Sequence, residues 1–235
     1  HLTHEDRGSF NNGSTAKENF ISIYRQKPIM ANRAHCLHNR MISSLPELVQ
    51  QEMRVACFTE VPLNQIHLLI RPIPGRQVEF APYGFVFKKS YIVRRGAQPA
   101  IYVNSYNGNM FLREAADALF EKAKAENFQS NLWKFLPFLN AMHESYDFTW
   151  EREWRIRHRL EFSAKDLVCV ILPQDSELEL KKSFSKGGIA VISPGWNYEQ
   201  IVAELARQQR ETVRVTLANV PSAAKPATKT ERAEE

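Results

Sequence analysis

Two glutamates one residue apart, Glu151 and Glu153, stand in residues 147–158, DFTWEREWRIRH, between Trp150 and Trp154 and ahead of Arg155 and Arg157. Paired carboxylates suit sugar chemistry: one binds a hydroxyl or stabilises a cationic intermediate while the other orients a nucleophile. Their geometry depends on the backbone. In a strand, side chains alternate between faces. Glu151, Glu153, Arg155 and Arg157 then share one face, with the two glutamate α-carbons ~7 Å apart. Trp150, Trp154 and Ile156 share the other face with Arg152 and His158. In a helix, Glu151–Arg155 and Glu153–Arg157 become i,i+4 ion pairs worth about 0.3 kcal/mol each. The strands expected just after this stretch favour the strand. Such a strand packs its mostly apolar face inward and offers the carboxylates outward, for chemistry or as a solvated face neutralised by Arg155 and Arg157.

Two other groupings could serve a sugar. His1 and Thr3 point the same way if the chain starts as a strand, and an imidazole beside a hydroxyl can hold the paired hydroxyls of a ribose. The alternative is a frayed terminus. The chain begins at His1 rather than Met, so the first strand is expected to be incomplete at its start. In residues 57–63, CFTEVPL, Cys57 and Thr59 share one strand face and Phe58 and Glu60 the other. A polar pair at a strand end before proline can line a cleft, or simply end the strand. Metal chemistry has little support: His35, Cys36 and His38, or His1 with His4, lack the second ligand pair of a zinc site. No phosphate-loop, dinucleotide-fold or hydrolase-elbow motif occurs.

Composition sets the outer bounds. The 235 residues suffice for one large domain, and 43% hydrophobic and 11% aromatic content predict a packed core. The charge of +5 fits a nucleic-acid partner and equally an ordinary basic enzyme. Residues 83–95, YGFVFKKSYIVRR, mix bases with aromatics and suit a nucleic-acid surface or an ordinary amphipathic strand and turn. Three scattered cysteines, Cys36, Cys57 and Cys169, suggest reduced thiols and a cytoplasmic setting. No run approaches the ~20 apolar residues of a membrane span, so no membrane partner is expected.

These groups need a scaffold. Residues 14–27 predict a helix opened by a Thr15/Glu18 capping box, and 110–126 the strongest helix. Residues 196–209 predict a helix capped by Asn197 with Gln200 three residues on. Strands are expected in 54–63 (stopped at Pro62), 84–91, 99–104, 165–173 and 187–194. Pro137 should bend or break the apolar stretch 132–142. The order lacks a regular βαβ rhythm, so the fold class is α+β: a single compact domain over 1–220, a mixed or antiparallel sheet with flanking helices. Residues 221–235 have almost nothing to bury and should form a disordered tail.

Taken in order, HLT (1–3), ENFISI (18–23), CFTEVPL (57–63), YGFVFKKSYIVRRGAQPAIYVN (83–104) and DFTWEREWR (147–155) resemble the AbiGi-type abortive-infection family. The likeness spans His1 to about Trp196. That family is labelled as antitoxins of bacterial phage-defence systems, which implies a partner toxin. More distantly, the H-x-T start, the middle strand ending in a polar motif and the late strand with a glutamate are similar to DarT-like ADP-ribosyltransferases. That likeness implies an ADP-ribosyltransferase-like fold with NAD as substrate and a DNA, RNA or protein acceptor. His1 and Thr3 would hold NAD, Thr59 would line the pocket, and Glu153 would be the catalytic carboxylate. Glu151 would orient the acceptor, and Arg33 or Arg40 would stand beside the pyrophosphate. No residue is assigned to the central tyrosine of the H-Y-E type. A non-catalytic antitoxin that binds a toxin or nucleic acid is the alternative expectation.

Overall fold

The structure, a computed structural model, describes residues 1–4, 13–31, 36–73, 76, 78–175 and 177–218, with side chains to 210. Arg33 and the expected tail 221–235 lie outside the described residues.

The chain starts with strand β1 (Leu2–His4). Helix α1 (Ala16–Gln26) follows, opened by the expected capping box: the Glu18 amide donates to Thr15 Oγ1, and the Thr15 amide to Glu18 Oε2. It closes on Lys27 at φ 61, whose amide donates to the Ile23 carbonyl. Next come β2 (Pro28–Met30), α2 (Asn39–Ile42), α3 (Glu47–Glu52) and β3 (Val55–Thr59). A 3-10 turn at Leu63–Gln65 leads into α4 (Ile66–Ile70), and β4 (Phe80–Phe87) runs directly into α5 (Lys89–Arg94). Strands β5 (Gln98–Pro99) and β6 (Ile101–Val103) precede the long helix α6 (Phe111–Ala125).

Pro137 sits in a 3-10 stretch, Leu132–Phe138, that ends in β7 (Leu139–Ala141). Beyond lie β8 (Glu153–Arg157), β9 (Arg159–Glu161), β10 (Leu167–Ile171), α7 (Leu178–Lys186), β11 (Ala190–Ile192) and α8 (Tyr198–Ala218). Asn197 and Gln200 exchange side-chain and backbone hydrogen bonds at the start of α8.

The strands form a mixed sheet β1-β4-β10-β11, an antiparallel sheet β3-β8-β5, an antiparallel pair β2-β9 and a parallel pair β6-β7. The fold is thus a mixed α and β domain, as the α+β expectation required. One βαβ unit is present nonetheless. Strands β10 and β11 pair in parallel, a connection that two-residue turns cannot make, and α7 bridges them. That helix was not expected from the sequence: its apolar positions, Leu178, Leu180 and Phe184, are sparse among lysines and glutamates.

Three apolar clusters hold these elements together. The first packs Phe20 of α1 on Phe85 of β4, ring centroids 4.5 Å apart, with Phe58, Ile156, Leu160 and Val170. The second gathers Phe120 of α6 with Trp133, Leu136, Leu139, Ile42 and Met53. The third lies behind the mixed sheet, around Leu2, Leu69, Ile171 and Ile201.

The stretch 147–158 is not one strand. Phe148–Glu151 forms a 3-10 turn, and Arg152 takes the left-handed conformation at φ 50. Strand geometry begins only at Glu153 and ends at His158, φ 66. Period-two alternation therefore covers Glu153 to Arg157 alone. Glu151 and Trp150 stand outside it, and Trp150 packs on the third cluster.

Candidate functional site

Strands β3 and β8 lie antiparallel, with Cys57 opposite Arg155 and Thr59 opposite Glu153. The shared face of the pair therefore carries Cys57, Thr59, Glu153 and Arg155. Phe58 and Ile156 occupy the opposite face, in the first cluster. Alternation read from the sequence assigned these faces correctly. It erred about what they meet.

The face with the carboxylate is not outward. Glu153 is only 11% exposed at its side chain and Arg155 is not exposed at all. The reason is a two-pronged ion pair. Arg155 Nε donates to Glu153 Oε1 and Nη2 to Oε2, each at 3.0 Å. The remaining prong, Nη1, donates to the carbonyls of Pro137 at 2.8 Å and Leu139 at 3.4 Å. The guanidinium thus ties β8 to the 3-10 stretch and β7, the wall of the second cluster. Burial works against the cation, and the charge and hydrogen bonds of Glu153, with smaller help from the neighbouring groups, oppose it, so the guanidinium stays above its ordinary pKa. Tyr102 of β6 adds a third donor, its hydroxyl 3.1 Å from Glu153 Oε2. Burial, reinforced by Glu153, pushes the Tyr102 phenol up, so it stays protonated and donating. Burial and the Glu153 carboxylate likewise raise the Cys57 thiol well above its usual range. Cys57 is a neutral hydrogen-bonding neighbour here, not a thiolate nucleophile.

Glu151 is reached from the other direction. Its backbone carbonyl accepts from Thr59 Oγ1 at 2.5 Å, which fastens the 3-10 turn to the end of β3. Its carboxylate pairs with Arg76, both side chains being largely buried. Arg76 also donates to the Leu69 carbonyl at 2.7 Å and lies over the Phe80 ring. Burial raises the Glu151 pKa, Arg76 opposes the rise, and Glu153 adds to it. The two carboxylates are therefore close enough to feel each other.

His1 joins this group from the mixed sheet. Its Nδ1 lies 2.9 Å from the Cys57 carbonyl, and its ring sits 5.6 Å from the Phe58 ring. Thr3 takes a different direction. Its hydroxyl is buried and lies within donating distance of the Ala16 carbonyl at 2.9 Å and the Tyr83 carbonyl at 3.2 Å, fastening β1 to α1 and β4. Arg40 is exposed on the short helix α2, whose buried residue Ile42 belongs to the second cluster.

Of the residues singled out from sequence, His1, Thr59, Glu151 and Glu153 thus collect around β3, while Thr3 and Arg40 face elsewhere. The sequence reading missed Tyr102 and Arg76 and treated Arg155 as a surface counter-ion. Period two alone places Arg155 on the face of Glu153, so that partnership was legible. Nothing in residues 71–84, rich in proline and glycine, points Arg76 to Glu151. Tyr102 comes from a separate strand pair whose register no local pattern sets.

Chemically, the arrangement offers two carboxylates fixed by separate arginines. Among the described residues, no group of three or more His, Cys, Asp or Glu side chains could hold a metal ion, and no helix is long and apolar enough to cross a membrane. The chain matches no protein-family model, no curated protein and no solved structure.

Proposed function

We propose that the chain is a phage-defence protein of the abortive-infection type whose ADP-ribosyltransferase-like site takes NAD and transfers ADP-ribose to a nucleic-acid or protein acceptor. One observation carries this reading. The His1 imidazole lies against the Cys57 carbonyl, the Glu153 carboxylate stands beside the Cys57 thiol and opposite Thr59, and the Glu151 backbone carbonyl accepts from the Thr59 hydroxyl, so these three residues gather on one short strand, β3.

In this reading Glu153 faces the nicotinamide ribose. As the C1′–N bond breaks, its electron pair leaves with neutral nicotinamide and positive charge grows on the sugar. A carboxylate held rigid through both oxygens by Arg155 stabilises that charge without reorganising. The acceptor attacks C1′ and loses a proton, and Glu151, raised by burial, is the base that takes it. His1 and Thr59 line the approach, and Arg40 and Arg33 play no defined part.

A second reading rests on a specific observation: both carboxylates already have arginine partners, Arg155 for Glu153 and Arg76 for Glu151. Such closed pairs suit a non-catalytic antitoxin of the same defence systems, with the ionic cluster serving the fold.

Labelled NAD incubated with DNA, RNA and protein acceptors separates the two. Wild type should transfer label and Glu153→Ala should not, both assayed at a temperature where circular dichroism shows each variant folded. Equal labelling by the two proteins, or none by either, removes the catalytic reading and leaves the antitoxin.

A further inference from the structure

Glu153 receives donors of unequal standing. Arg155 is a cation, wholly buried, bound through both carboxylate oxygens and anchored behind by two backbone carbonyls. It cannot leave without abandoning a charge in the interior. Cys57 lies on β3, whose ladder with β8 holds it in place. Tyr102 is different. It is neutral and only partly buried, and it comes from a separate strand pair. Its oxygen stands 3.1 Å from the carboxylate, longer than the ~2.5–2.7 Å of a strong hydroxyl-to-carboxylate bond.

We propose that Tyr102 is an occluding residue whose phenolic hydroxyl holds, on Glu153, the place that a sugar hydroxyl takes when ligand enters. This inference rests on the ADP-ribosyltransferase-like reading and deepens it by naming the group that covers the carboxylate before ligand arrives. The exchange is one hydroxyl donor for another. Glu153 keeps its charge and its Arg155 partner throughout, so no buried ion is left alone. A ligand lacking that hydroxyl would displace Tyr102 and return nothing to the carboxylate, which is how a buried acceptor discriminates. The closed contact also keeps the carboxylate covered until a hydroxyl-bearing ligand arrives.

The test compares wild type with Tyr102→Phe, a change that removes one oxygen and keeps the ring. Calorimetry measures binding of NAD and of a dinucleotide whose nicotinamide ribose lacks the 2′-hydroxyl. With the competing phenol gone, NAD should bind about tenfold tighter, the scale of one hydrogen bond to a charged group. The deoxy ligand should gain by about the same factor, since it too no longer has to displace the phenol, and the ratio between the two ligands should stay unchanged. In a Glu153→Gln background, where Tyr102 keeps only a neutral amide acceptor, the gain for NAD should shrink to less than about fivefold. A purely structural tyrosine would move the unfolding midpoint and leave the affinities alone. Measurable NAD binding that is equal or weaker in Tyr102→Phe overturns this inference and leaves the proposed activity standing. Absence of NAD binding to either protein overturns both.

Discussion

Replacing Arg155 with methionine tests an ion pair whose cation is wholly buried. The variant keeps an unbranched apolar stem and deletes the guanidinium with its charge. Glu153, 11% exposed, then loses both prongs of its partner. Removing one side of a buried ion pair costs about 3–5 kcal/mol, because the remaining charge is left in the interior. Two carbonyls also lose a donor. Leu139 keeps the amide of Leu37 at 2.9 Å, so only the Pro137 carbonyl bears the full loss, about 1 kcal/mol. Since the terms are not additive, the single variant should be about 4 kcal/mol less stable. At ~2–4 °C per kcal/mol for a chain of this size, the unfolding midpoint should fall by roughly 8–16 °C.

The double variant Arg155→Met/Glu153→Gln removes the stranded charge while leaving an acceptor for Tyr102. It should recover to within about 2 kcal/mol of wild type. Urea titrations followed by tryptophan fluorescence give both numbers, with an unchanged denaturant slope as the check that only stability moved. A single variant that loses less than about 1 kcal/mol would refute the reasoning. So would a double variant no more stable than the single one.

Acid should loosen the second cluster through His38. Its side chain is wholly buried against Phe120, with Nε2 2.8 Å from Asp117 and Nδ1 lacking a protein partner, and burial holds its pKa below 6.5 although Asp117 opposes the shift. Below pH 6.5 the unfolded chain therefore binds a proton that the folded one refuses. Stability should fall as pH drops through that region, by no more than about 1.4 kcal/mol per pH unit for this site. His38→Phe should lack that part of the slope in urea midpoints measured across pH, and a slope identical in the two proteins would exclude His38 as its source. Gly84→Ala should destabilise by about 2 kcal/mol, because the added carbon would stand 2.7 Å from the His1 carbonyl oxygen and 2.9 Å from Leu2 Cδ2. A thermal midpoint within 1 °C or so of wild type would show that β1 yields freely.

Legibility followed the range of the interactions. The caps of α1 and α8 were readable because Thr15/Glu18 and Asn197/Gln200 are local pairs three residues apart. Strand β10 was readable from its continuous apolar run, and the opposed faces of β3 from simple alternation. Two failures had local causes. Arg152 and His158 take positive φ although neither is glycine, so no residue type marked the ends of β8. Helix α7 carries too few apolar residues to announce itself. The error about exposure was of another kind. Whether Glu153 faces water depends on what packs over β8, and that cover comes from residues 102 and 137–139, far away in the chain. Sequence alternation identified the face on which Arg155 lies, and tertiary packing turned that face into an interior.

Strand β8 is a party wall. On one side Ile156 belongs to the first cluster, and on the other Arg155 is bound to the backbone that borders the second. A region that opens locally does so only if it can part from its neighbours without exposing something costly. Here, peeling the 3-10 stretch and β7 away would bare a guanidinium still clasped to Glu153, so the breach would propagate into β8 itself. Amide exchange at Leu139 and Ile156 should then share one opening free energy, and the two halves of the domain should melt as a single foldon.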